Sequence, residues 1–376
     1  MKLFPVHCAI TLALLVVAEP VMAEGEWEIT RESEAALERG LRWLAANQGT
    51  EGNWESNDLG LVSLGVLAYL AAGNTPGHGP YGQAIDRALD YVLKKAKPSG
   101  LLNIANGQRD MYNHGLSAFV LGQVYGTTSD QRVSPVLERA LKLIANTQCE
   151  DGGWDYAAKR QKRGHDLSLA VMQAKALRSA VDSGLEVSPE VINLALKSVR
   201  EHYRTASGKT NFEDPAVRSE TGFFTYDGHR GGLAMAACGV VCLQEFGEYD
   251  DWRIERNMGL IVPTVLALKE GTPHDGRPPL DSYTLYYVGQ ALYQVGSKPW
   301  EMCYPKLRDA LVLSQHLDAN NPQQDGWWTE TLNVSGKPGQ LFGTAVACFI
   351  LSIPNRYLPI LQEGKIDSLR SRGQKN

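Results

Sequence analysis

Arg39-Gly40-Leu41-Arg42-Trp43-Leu44, followed by Gln48, Gly52 and Trp54, returns a hundred residues later as Arg139-Ala140-Leu141-Lys142-Leu143-Ile144, followed by Gln148, Gly152 and Trp154. A looser copy reads Arg308-Asp309-Ala310-Leu311, then Gln315 and, after a longer join, Gly326-Trp327-Trp328. Such self-similarity marks a chain built from one supersecondary unit stacked on copies of itself. Each copy spans the end of a charged, amphipathic segment and the turn that leads into an apolar one.

That alternation runs the length of the chain. Apolar residues at three- and four-residue spacing predict amphipathic helices over 33–48, 81–96, 134–148, 188–204, 253–270 and 304–317. Two open on a cap residue followed by proline, Ser134-Pro135 and Ser188-Pro189. Between them lie segments apolar or small almost all round, over 59–72, 111–125, 167–183, 231–246, 282–295 and 342–353. A helix with no polar face is buried on all sides. Six half-buried helices alternating with six buried ones describe two concentric rings, an all-α, α/α-toroid fold, with strand patterns essentially absent. Turn-rich joins at Gly49–Asn53, Asp151–Gly153 and Asp325–Gly326 lead from an outer helix to the next inner one. The insertions at 205–230 and 318–340 break the period and are expected on the binding face.

The ends of the chain read differently. Lys2, the apolar run from Ala9 to Ala18 and the small-residue site Val21-Met22-Ala23 predict a signal peptide over 1–23. The toroid domain is expected over 24–363 and a charged tail over 364–376, the mature protein being secreted or periplasmic. No later run is apolar for long enough to be transmembrane. With 43% hydrophobic and 21% charged residues and a formal net charge of −5, the composition offers no electrostatic case for nucleic acid or anionic membranes. Cys149, Cys238, Cys242, Cys303 and Cys348 are odd in number and lack framework spacing, so they read as small core residues.

The run of Arg, Gly or Ala, then an aromatic or aliphatic pair, closed by Gln-x-x-x-Gly-x-Trp, resembles the QW repeat of the terpenoid cyclase and protein prenyltransferase α/α-toroid superfamily. The chain is similar to secreted bacterial proteins of the prenyltransferase and squalene-oxidase repeat type. The resemblance implies that Gln48, Trp54, Gln148 and Trp154 brace the joins between helices and take no direct part in catalysis.

Several inner helices open on a carboxylate: Asp58, Asp110, Asp166 and Asp281. Inner helices of a toroid run the same way, so these groups are expected to ring one mouth. Asp is also a preferred N-cap, which alone accounts for such placement. Histidines accompany them: His114 four residues from Asp110, His165 beside Asp166, and His229-Arg230 after Asp227. The fifth inner helix adds Tyr283, Tyr286 and Tyr287 on one face, fit either to line a cavity or to pack between helices. Candidate catalytic residues are therefore Asp166, His165, His114 and Asp281. Candidate ligand-binding residues are Asp110, His229, Arg230, Tyr283 and Tyr287.

The catalytic motifs of the resembling families are missing. Glu248-Tyr249-Asp250-Asp251 stands in place of the cyclase Asp-x-Asp-Asp and falls in a turn on the opposite rim. At the helix start where prenyltransferases carry Asp-x-Cys, Asp281-Ser282-Tyr283 puts tyrosine in place of the zinc-binding thiolate. Cys238 and Cys242 are two potential ligands without a third. No metal and no cofactor is expected. Three functions remain: a toroid that binds an unknown small molecule (lipid, isoprenoid or sugar) or a protein partner, which is the first expectation; a divergent squalene-type cyclase; and a carbohydrate-active lyase or hydrolase working at the mouth.

Overall fold

The computed structural model describes residues 27–330 and 339–362. The expected leader over 1–23 and the tail from 364 lie outside these residues. In chain order the elements are α1 (Arg31–Ala46), α2 (Leu59–Ala71), α3 (Gly82–Lys95), α4 (Asp110–Tyr125), α5 (Val133–Thr147), α6 (Leu167–Asp182), α7 (Pro189–Glu201), β1 (Tyr203–Thr205), α8 (Pro215–Ser219), β2 (Gly222–Phe224), α9 (Leu233–Glu245), α10 (Trp252–Leu266), α11 (Ser282–Val295), α12 (Ser297–Ser314) and α13 (Gln340–Ser352). Helices α2, α4, α6, α9, α11 and α13 pack in that order, and α13 returns to α2, closing an inner ring. Helices α1, α3, α5, α7, α10 and α12 lie outside it, each against its inner neighbours. This is the α/α toroid that the alternation predicts.

All-round apolarity decides which helices go inside. Every residue of α2 is buried, whereas α3 buries one face and exposes Lys94 and Lys95 in its last turn. The ring centre is filled. Phe119, Phe349, Tyr286 and Tyr287 are buried there with Lys175, Glu245 and Gln290. The chain after α13 closes the end opposite the mouth. Ile360 donates its N–H to Gln123 Oε1 at 3.3 Å, and Arg178 Nη2 donates to the Gln362 carbonyl at 3.0 Å. Among the described residues no helix is long and apolar enough to cross a membrane.

The repeat has a visible mechanical role. Trp54, Trp154 and Trp328 each donate the indole N–H to a carbonyl of the preceding outer helix, of Leu44, Ile144 and Leu311, at 2.8, 2.9 and 2.9 Å. Gln48, Gln148 and Gln315 each reach into the next outer helix, to the carbonyls of Ala84, Val191 and Ala36, at 2.6, 2.9 and 2.8 Å. The same amides hold the carbonyls of Gly52, Gly152 and Gly326. These glycines have φ of 80°, 90° and 96°, and a Cβ there would strike the backbone of Arg87, Leu194 or Arg39. Only glycine meets both demands. The loosest copy in sequence is the one that joins the end of the ring to its beginning, through Gln315 and α1.

Two sequence expectations are corrected. Helix α12 starts at Ser297 instead of 304, running through Pro299 near its start and Pro305 inside it. The insertion at 205–230 carries a short antiparallel ribbon, β1 against β2, with Tyr203 opposite Phe224. Three-residue strands are too short to show alternation. Their rings pack edge-on, 5.6 Å apart, and Tyr203 also meets Trp252 at 5.1 Å. Asn257 on α10 accepts the Phe224 N–H at 3.0 Å, which ties the ribbon to the ring.

Candidate functional site at the mouth

The long joins from outer to inner helices gather where the inner helices begin, and the short returns lie at the other end. Three of the four expected carboxylates cap helices. Asp58 accepts from Leu61 N, Asp166 from Ser168 N and Leu169 N, and Asp281 from Thr284 N. Asp110 instead stands inside the first turn of α4 and accepts from the Asn103 amide at 2.7 Å.

Asp166 also engages a histidine. It is buried, its Oδ1 takes the Ser168 and Leu169 N–H groups and the Ser168 hydroxyl, and its Oδ2 faces His165 Nδ1 at 2.9 Å. A carboxylate only accepts, so Nδ1 carries a hydrogen, and in the neutral imidazole this leaves the lone pair on Nε2. The His165 side chain is 49% exposed, so the ring is open to the mouth. The imidazole meets Tyr156 edge-on at 4.6 Å and Tyr226 at 6.5 Å. The repeat itself holds the ring in place: His165 N donates to the Trp154 carbonyl at 2.8 Å.

Beside this pair lies a pocket of about 250 Å³ lined by Arg109, Tyr112, Tyr156, Ser168, Tyr226 and Tyr283. The hydroxyls of Tyr156 and Tyr226 share a short hydrogen bond, and Tyr112 donates to Ser168 Oγ. Burial, with the Asp166 charge behind it, pushes Tyr226 up to about 12 against the opposing Tyr156 hydrogen bond. Burial likewise raises Tyr156, with Asp166 and Tyr226 adding to the effect. Both phenols are thus neutral hydrogen donors at ordinary pH. Arg109 and Asp58 face each other at 3.6 Å on the same rim.

Tyr112, Tyr156, Ser168 and Tyr226 escape sequence reasoning because they come from four separate segments. The available signal was the position of Tyr156, two residues beyond the repeat tryptophan, and of Tyr226 beside Asp227. Of the expected ligand residues, Tyr283 lines the pocket, its hydroxyl 3.5 Å from Cys238 Sγ. His229 and Arg230 lie on the exposed turn before α9; Arg230 pairs with Asp227 at 2.8 Å and covers the Tyr226 ring at 4.8 Å. Tyr287 does not line the mouth: it is wholly buried, with its hydroxyl on Met172 Sδ at 3.3 Å. Asp281 takes the Thr284 N–H and hydroxyl, at 2.9 and 2.6 Å, and its carboxylate is absent from the His165 cluster.

His114 is turned away from the mouth. It is fully buried, accepting from Leu102 N at 3.2 Å and donating to the Ala140 carbonyl at 3.1 Å, so it latches two outer segments to α4. Burial lowers its pKa from 6.5 to about 4. The folded state therefore binds this proton less readily than the unfolded chain. Its contribution is fully present above pH 6.5 and is lost as pH falls towards 4, by up to roughly 3 kcal/mol. We expect His114→Gln to lower stability at neutral pH while flattening the acid limb. Denaturant unfolding between pH 4 and 7 measures both; an unchanged acid limb would remove His114 as the acid sensor.

No known family model matches this sequence, and no curated protein is detectably similar to it. Solved structures do share its fold. An inactive double Asp-to-Asn variant of the α-1,6-mannanase GH76A of Salegentibacter sp. HEL1_6, in complex with α-1,6-mannotriose, superposes with a TM-score of 0.53 at 9% identity, over 90% of this chain and 100% of the mannanase. Cellobiose 2-epimerase from Bacillus thermoamylovorans B4167 superposes with a TM-score of 0.57 at 12% identity, over 86% of this chain and 98% of the epimerase. At such identities the likeness establishes the α/α-toroid architecture alone.

Proposed function

We propose that this chain is a carbohydrate-active toroid that performs acid–base chemistry on a sugar at its mouth. The observation that carries the reading is the open His165 imidazole oriented by the buried Asp166 carboxylate beside a tyrosine-lined pocket. His165 Nε2 is placed to take a proton, Tyr156 and Tyr226 to donate one, and the aromatic walls to lie against the faces of a pyranose ring. The filled ring centre supports a sugar over an isoprenoid, since a polyprenyl chain needs a deep apolar cavity. The toroid neighbours include enzymes named for mannan and cellobiose, which agrees with this reading. The resemblance to terpenoid cyclases contributes the repeat and no activity.

The test is incubation of the purified chain with α-1,6-manno-, cello- and uronate-containing oligosaccharides, followed by mass spectrometry and proton NMR. Turnover abolished by His165→Ala supports the proposal. Turnover that survives His165→Ala would remove His165 as the base, and oligosaccharide binding with every substrate intact would return the chain to a binding toroid.

A further inference from the structure

The rim next to His165 holds cations that the acid–base site does not use. Residues 159–163 read Lys159-Arg160-Gln161-Lys162-Arg163, immediately before Gly164 and His165. Two of the loop's carboxylates are turned onto its own amides. Asp151 accepts from Gly153 N and Gly164 N, both within 3.0 Å, and Asp155 accepts from Ala157 N and the Gln161 amide. Gln161 also accepts the Glu150 N–H at 3.0 Å, which pins the run at its middle. The four flanking cations are exposed and form no ion pair among the described residues. In a chain of net charge −5, this strip runs against the overall sign.

A groove of about 710 Å³ leads from this run to His165, between α7 and the ribbon, with Arg163, Lys197, His202, Arg204 and Phe212 along it. Asp227 on its wall is held by Arg230 at 2.8 Å, and the wall residues Arg200 and Arg253 are held by Asp251 at 2.9 and 3.0 Å. Among the described residues, Glu201 is the one carboxylate of the groove whose side chain has no partner. Arg163 and Lys197 have none either, and Arg204 Nη1 donates to backbone carbonyls, that of Tyr203 at 2.8 Å. His202 Nδ1 is buried and also without a hydrogen-bond partner.

We propose that the groove and rim bind an acidic glycan, with its carboxylate or sulfate groups on Lys162, Arg163, Lys197 and Arg204 and its chain running to His165. This rests on the carbohydrate reading of the mouth and narrows it to anionic substrates. Lys162, Arg163 and Lys197 are exposed and give up little hydration on meeting an anion, half-buried Arg204 joins them at the groove wall, and several such cations act together where one would be screened. Phe212 supplies an apolar face between them for a sugar ring.

The experiment is titration calorimetry with a galacturonate hexasaccharide and a heparin hexasaccharide, against cellohexaose and a single-stranded oligonucleotide of matched charge. The wild type is compared with Lys162→Ala/Arg163→Ala/Lys197→Ala. An acidic hexasaccharide should bind more tightly than cellohexaose, more weakly as salt rises, and about tenfold more weakly to the triple variant, a factor within reach of three exposed charge contacts. The charge-keeping Lys162→Arg/Lys197→Arg variant should retain the affinity, and circular dichroism should show all variants folded. Equal affinity for acidic and neutral hexasaccharides, or a triple variant indistinguishable from wild type, overturns the proposal. So does an oligonucleotide that binds as tightly as either glycan. Salt-sensitive glycan binding without turnover would keep the groove and remove the catalytic reading, whereas turnover of neutral oligosaccharides alone would do the reverse.

Discussion

Replacing Lys175 by Met is expected to cost about 3–5 kcal/mol of folding free energy, among the largest single losses available in this chain. Lys175 on α6 is 1% exposed, with Nζ 2.9 Å from Glu245 Oε1 on α9, hydrogen-bonded to Gln290 Oε1 on α11 and 4.7 Å above the Phe119 ring. Burial pulls the ammonium below its ordinary pKa while the Glu245 charge opposes that pull. The desolvation cost is thus already large and is offset only by the partners. Removing the lysine leaves a buried carboxylate whose second oxygen has no hydrogen-bond partner, and an amide oxygen without its donor. The triple change Lys175→Met/Glu245→Leu/Gln290→Leu removes the charge together with the groups that need it, and should recover most of the loss. Denaturant unfolding of single and triple variants gives the coupling energy directly. A single variant within about 1 kcal/mol of wild type would mean that water reaches the centre and screens the pair.

That polar centre was invisible in the sequence, although the rings around it were legible. Lys175, Glu245 and Gln290 sit on three different inner helices, and nothing in their spacing announces that they meet. The repeat was legible because its three parts are local. The glutamine, the glycine and the tryptophan fall within a dozen residues in the first two copies, and their geometry recurs in the third despite its long join. Helix α12 begins seven residues before its apolar spacing shows, and the missing N–H of Pro305 leaves the rest of an 18-residue helix intact. At the mouth the same logic holds. His165 and Asp166 could be paired because they are adjacent, while the tyrosines could not, because Tyr156 and Tyr226 are seventy residues apart. His114 and Asp110 shared a helix face as expected, but the face turns outward to the Ala140 carbonyl.

On the proposed carbohydrate chemistry, Asp166→Asn is expected to lower kcat by roughly 10²–10⁴, the range that a positioned acid–base group contributes, while leaving stability within about 1 kcal/mol. The two effects separate because the two oxygens have different jobs. Oδ1 caps α6 through Ser168 N and Leu169 N, and asparagine caps as well as aspartate does. Oδ2 accepts from His165 Nδ1. An amide nitrogen in its place donates, so the imidazole must accept at Nδ1 and carry its hydrogen on Nε2, which abolishes the base. Burial keeps Tyr156 and Tyr226 raised in the variant, but the loss of the Asp166 charge removes a further contribution, so the alkaline limb of the pH profile should move down. Nitrogen-15 NMR of the His165 ring reads the tautomer without any substrate: Nδ1–H in the wild type and Nε2–H in the variant. An unchanged tautomer would show that Asp166 does not orient the ring. A switched tautomer with unchanged kcat would assign the proton transfer to a tyrosine.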